Sequence, residues 1–186
     1  MNFFDFVNTL PSGLVYAPIY RKGAPMVSGK PATGKNPLEA SFDHKFGPAD
    51  VALASQKNPD LQAVGVFTGI RGNGIVILDV DRGLKKLLKI WGHTLHNAPV
   101  VTSTRVNAAK YLFRVPEELW NVVEGRGLSD DHPDYEILWN SKRQGVIFGA
   151  YPGGKTSEPG EYKIEGDLNS IPVAPDWLLA EMRQPP

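Results

Sequence analysis

The 186-residue chain has no cysteine, which removes disulfide cross-links, thiolate nucleophiles and cysteine-zinc sites together. That is compatible with a reducing cytosol. It also has no excess of either charge, since 20 Lys and Arg stand against 20 Asp and Glu. Any affinity for nucleic acid must then come from local patches rather than a whole-molecule field. Long apolar runs are missing too, and none approaches the roughly 20 residues that a membrane-spanning helix needs. The start, Met1-Asn-Phe-Phe-Asp-Phe-Val-Asn8, carries an early acid, no basic stretch and no small-residue cleavage site, unlike a secretory signal. Internal repeats and low-complexity tracts are absent. With 41% hydrophobic and 22% charged residues, the composition is that of an ordered globular chain. The expectation is a soluble, cytoplasmic protein, either one substantial domain or two small lobes sharing a core.

Against this background the run Gly74-Ile-Val-Ile-Leu-Asp-Val-Asp81 stands out, because it ends in two carboxylates placed against their own desolvation cost. In an extended strand residues i and i+2 share a face, so Asp79 and Asp81 point the same way while Val80 points into the core. Two such charges repel unless a cation sits between them, and hard oxygen ligands favour magnesium or manganese. Solvated acids at a strand end, where aspartate also favours the turn, are the structural alternative.

Around this run the pattern predicts a short helix over residues 2–9 and a helix over 49–56 with Pro48 in its first turn. Strands are expected over 64–68, 74–80, 99–104, 110–115, 135–139 and 145–148. The stripe Leu84, Leu87, Leu88, Trp91 predicts a helix directly after the acidic pair, and a last helix is expected over 176–182. Residues 18–37 carry three prolines after Pro18 and three glycines, which reads as a basic loop with Arg21, Lys22, Lys30 and Lys35. Gln184-Pro-Pro reads as the start of a linker. Strand-rich segments with scattered helices suggest an α+β fold.

An EF-hand loop is excluded because Lys85, Lys86 and Ile90 stand where oxygen ligands would be needed. A haloacid-dehalogenase-like phosphatase also uses an apolar strand ending in Asp-x-Asp, but near the start of its domain and without the Arg82-Gly83 found here. Gly29-Lys-Pro-Ala-Thr-Gly34-Lys35 has P-loop spacing, yet Asn36 replaces the magnesium-holding hydroxyl, no strand leads in and Pro37 suits no following helix. Its lysines remain able to touch phosphate. The alternation of Lys110, Leu112, Arg114 with Tyr111, Phe113, Val115 marks a half-buried strand. Ser103, Arg105 and Lys110 could hold a triphosphate there, the alternative being a solvated cationic edge. Tyr135-Glu136-Ile-Leu-Trp139 is another apolar strand bearing one acid, and a third carboxylate is what a two-metal centre requires. The four histidines show no spacing that marks a metal site.

In order along the chain, Gly34-Lys-Asn-Pro37, Gly65 to Gly69, Gly74 to Asp81, Thr102 to Pro116, Tyr135 to Leu138, Gly149-Ala-Tyr-Pro152 and Ile171 to Trp177 resemble the N-terminal domain of bifunctional primase-polymerases. That family lies within the archaeo-eukaryotic primase superfamily and occurs in plasmids, phages and archaea. The resemblance implies an α+β primase-like core with mixed β-sheets, its catalytic half RNA-recognition-motif-like, flanked by helices. It implies one catalytic domain over residues 1–183, in two sublobes of about 1–70 and 71–183, with residues 184–186 opening a linker to further domains. It further implies DNA synthesis on a template and primer from deoxynucleoside triphosphates, in the cytoplasm of a prokaryotic or phage-infected cell, with a fused or separate helicase.

Asp79 and Asp81 match the family's Asp-x-Asp metal motif and Glu136 its third acidic motif, implying two bound Mg2+ or Mn2+ ions. Lys110 stands where a nucleotide-contacting histidine is expected, and Ala108 and Ala109 replace glycines. A lysine keeps phosphate binding as a point charge but changes its selectivity. Arg105 and Ser103 would steady the phosphates beside it. A non-catalytic nucleotide or single-strand binding module that initiates replication is the alternative of another class.

Overall fold

The computed structural model describes residues 1–183, so the expected linker at 184–186 lies outside the described residues. Among the described residues the five α-helices are α1 (Phe3–Val7), α2 (Ala40–Asp43), α3 (Pro48–Lys57), α4 (Leu84–Trp91) and α5 (Asp176–Met182). The strands are β1 (Tyr16–Tyr20), β2 (Leu61–Phe67), β3 (Ile75–Val80), β4 (Val100–Thr102), β5 (Ala109–Arg114), β6 (Tyr135–Leu138), β7 (Gln144–Tyr151) and β8 (Gly160–Glu165). They form one eight-stranded sheet in the order β1-β2-β7-β8-β4-β5-β3-β6. The expected α+β class is what the chain adopts. Every strand pair in the ladder is antiparallel, where the resemblance implies mixed sheets. Hydrophobic period reports which face is buried and carries nothing about strand direction.

The sheet is covered on both faces, and β3 shows it residue by residue. Ile75 and Ile77 pack into one cluster with Tyr16, Phe67, Leu112 and Ile147. Val76, Leu78 and Val80 pack into a second, closed by Leu87 of α4 and by Leu178 and Met182 of α5. A strand buried on both sides reads as a continuous apolar run, which is why β3 was legible. The first cluster runs from Phe6 to Ile171 and so crosses residue 70 without a break.

The sheet curls. In a flat sheet β7 and β5 would stand three strand spacings apart, about 14 Å. Yet the Lys110 ammonium on β5 donates to the Val146 carbonyl of β7 at 3.1 Å.

Three elements departed from expectation. Residues 16–20 form the edge strand β1, although Pro18 sits in its middle. An edge strand tolerates proline because its outward side needs no donor there. Residues 160–165 form β8, whose mostly exposed charged pattern hid a joining strand. Residues 40–43 make the single turn α2, too short to leave a period. Among the described residues no helix is long and apolar enough to cross a membrane.

Candidate active site

Antiparallel register places Asp79 of β3 opposite Lys110 of β5 on one side and opposite Glu136 of β6 on the other. The preceding same-face row is Leu112, Ile77 and Leu138, all in the first cluster. One pleat further along, three neighbouring strands therefore change together from apolar to charged. There the core gives way to a cavity of about 330 Å³, lined by Asp79, Asp81, Glu136, Ser103, Arg105 and Lys110. All six residues singled out in the sequence thus face one space. Lys35, Arg143, Gln144, Tyr151 and Tyr162 line it as well. No local pattern marks Arg143 or Tyr162, because each reaches the cavity only through the curl of the sheet.

The two arginines are already engaged. Arg105 donates from Nη1 to Asp81 Oδ1 at 2.7 Å, and Arg143 Nη2 stands 3.4 Å from Glu136 Oε2. Lys110 adds to its bond with Val146 a position over the Tyr162 ring, 4.5 Å from the centroid. Such a cation over an aromatic face gains from the ring quadrupole and is held in place.

Burial pushes the Asp79 carboxyl above its usual range; Lys110 opposes that shift and Asp81 adds to it. Burial likewise raises Glu136, with Asp79 adding and Arg143 opposing. Lys110 is lowered by its own burial, against the pull of Asp79. These are the signs expected of like charges crowded together at the edge of a core.

The loop between β4 and β5 carries the cationic side of the site and is tied to α4. Gly83, just before that helix, brings no capping side chain. Asn107 supplies the cap from the loop: its Oδ1 accepts from Lys85 N at 2.9 Å and its carbonyl from Leu84 N at 3.3 Å. Ser103 Oγ accepts from Arg105 N at 3.2 Å. The loop that presents Arg105 is thereby locked to the helix that follows Asp81.

Three carboxylates lining one cavity are the hard oxygen donors that magnesium or manganese prefers, and the repulsion that adds to the effect of burial at Asp79 and Glu136 is what a cation relieves. Among the described residues no three His, Asp or Glu side chains stand together closely enough to hold an ion. Arg105 and Arg143 hold two of the three acids. The donor chemistry fits divalent ions, and those two guanidiniums are what an ion must displace.

Residues 12–177 match the family model for bifunctional DNA primase/polymerase, N-terminal. No curated protein matches the chain.

Proposed function

The chain belongs to the bifunctional DNA primase/polymerase N-terminal family, and from that premise we propose that its cavity takes a deoxynucleoside triphosphate and transfers the nucleotide to a primer strand on a DNA template. The observation that carries this reading is the cross-strand row Lys110, Asp79, Glu136 at the mouth of one cavity with Asp81. Such a row sets anion-binding and cation-binding groups side by side, as phosphoryl transfer requires.

Asp79, Asp81 and Glu136 would hold two Mg2+ or Mn2+ ions, which when bound supply Lewis-acid neutralisation of the phosphates and a more acidic primer hydroxyl. Lys110 and Arg105 hold the phosphates by charge-assisted hydrogen bonds, and the Ser103 hydroxyl donates beside them. The apolar row behind Asp79 keeps water from the rear of the site, which strengthens every charge interaction in front of it. Residues 1–183 act as one catalytic domain, its two sublobes meeting across the shared core. The setting we read is phage or plasmid replication in a prokaryotic cytoplasm, with a helicase as partner or fused neighbour.

Primer extension with manganese or magnesium tests the reading. The wild-type chain adds nucleotides in template order, and Asp79→Asn or Asp81→Asn lowers the rate by at least about a hundredfold with an unchanged circular dichroism spectrum. Full incorporation by either variant overturns the metal assignment. A wild-type chain that binds triphosphate and single strands but extends nothing leaves a binding module, and phosphate release without a template would mark a phosphatase.

A further inference from the structure

The segment Gly29 to Lys35 has the spacing of a phosphate-binding loop but none of its architecture, since it lies between β1 and α2 with no helix starting at Lys35. The fold nevertheless delivers its last residue to the cavity, where Lys35 joins Asp79 and Lys110 in the lining and its charge acts on both. The backbone on either side is pinned. Asn36 Oδ1 accepts from Thr33 N at 2.7 Å and from Thr33 Oγ1 at 3.0 Å. Gln144 Nε2 donates to the Lys35 carbonyl at 3.3 Å, and Tyr20 N donates to the Asn36 carbonyl at 3.0 Å. Gly34, at φ +95°, is buried so closely that an added Cβ would lie 2.6 Å from Pro152 Cβ.

The side chain on this pinned turn is exposed and, among the described residues, has no ion-pair partner. The other cations of the cavity are engaged: Arg105 with Asp81, Arg143 with Glu136, and Lys110 with the Val146 carbonyl. The Asp79 carboxylate is shared between the two ammoniums of Lys35 and Lys110, which repel each other, so the cavity holds an excess of positive charge on this side that a further anion would relieve.

We propose that Lys35 is a phosphate-binding residue of this site, a ligand for the phosphates of the incoming nucleoside triphosphate, positioned by the Thr33–Asn36 turn. This rests on the reading of the cavity as a nucleotide site. The turn functions here as a preset arm: its rigidity keeps the entropy cost of capturing the phosphate low. Lys35 thereby adds to triphosphate affinity from the side of the cavity opposite the α4 loop in sequence, so the two halves of the sheet close on one ligand.

Equilibrium titration with a deoxynucleoside triphosphate, the matching nucleoside and the nucleoside monophosphate tests the proposal. Lys35→Gln weakens triphosphate binding by about 10- to 100-fold, the worth of one hydrogen bond to a charged group, leaves nucleoside binding unchanged, and is rescued in part by Lys35→Arg. Asn36→Ala, which loosens the turn but keeps the charge, weakens triphosphate binding less than Lys35→Gln. In primer extension the KM for triphosphate rises with Lys35→Gln while kcat changes little. Equal triphosphate affinity in wild type and Lys35→Gln overturns the proposal. So does a loss that is the same for the nucleoside. If wild type extends no primer yet Lys35→Gln still weakens triphosphate binding, the phosphate ligand stands and the polymerase reading falls. If wild type extends normally and Lys35→Gln leaves KM unchanged, only the Lys35 proposal falls.

Discussion

Arg105 holds Asp81 through a 2.7 Å ion pair inside the cavity, so the cation expected to grip phosphate is, in the free chain, the counterion of an expected metal ligand. The two uses compete. Arg105→Gln is therefore expected to tighten binding of manganese alone, by up to about fivefold, the worth of a partly exposed ion pair that the metal no longer has to break, while weakening binding of triphosphate. Electron paramagnetic resonance of free manganese and a nucleotide titration read the two effects separately. Changes of the same sign in both would show that the pair is only a structural brace.

Asp79 and Glu136 carry the second prediction, which concerns pH. Burial raises both carboxyls above the usual values of 3.8 and 4.5, with the Asp81 charge adding to the rise at Asp79 and the Asp79 charge adding to it at Glu136. A carboxylate with a folded pKa above its unfolded one costs stability when ionised. That cost is full above the folded pKa and disappears as pH falls through it toward the unfolded value. Asp79→Asn and Glu136→Gln should then raise Tm at pH 7, with the gain shrinking to nothing below pH 3.8 for the first. Thermal melts across that range decide it, and a loss of stability at pH 7 would contradict the electrostatic account.

Lys110 allows a third. Its burial lowers its pKa from 10.5, so wild-type triphosphate affinity should fall on the alkaline side before that value is reached. Lys110→His should move the fall to below about pH 6.5, because the burial that lowers the lysine lowers an imidazole as well. Dissociation constants measured from about pH 5 to pH 10 check this, and coincident profiles would remove Lys110 from the phosphate site.

Gly74 tests the scaffold that carries Asp79. It enters β3 at φ +84°, and an added Cβ would lie 2.6 Å from Trp120 Cζ2. Gly74→Ala forces a left-handed conformation and a clash together, at a cost of about 1–3 kcal/mol, or roughly 2–12 °C in Tm for a chain of this size. Nucleotide affinity per folded molecule should be unchanged well below the melt. An unaltered Tm would mean that Trp120 moves aside freely.

Much of the local structure was readable before any coordinates. Helices α4 and α5 begin and end where their apolar stripes predict, and β3 follows its continuous apolar run. Strand β1 was hidden by Pro18 and β8 by its exposed charges. Lys35 was visible as a lysine in a basic loop, but its place in the cavity with Asp79 depends on contacts with Gln144 and Pro152 from the far end of the chain.

The amino-acid order alone settled that thiol chemistry is absent and that an apolar strand runs up to the acids Asp79 and Asp81, because the first follows from composition and the second from a local apolar run. Only tertiary structure decided which strands became neighbours of β3 and that the sheet curls until Lys110 meets Val146. Strand order and curvature arise from packing two apolar clusters against opposite faces of one sheet, and packing is summed over residues far apart in the chain. The charged row at the cavity mouth is the result of that sum, since it needs three strands in register and each strand encodes only its own alternation.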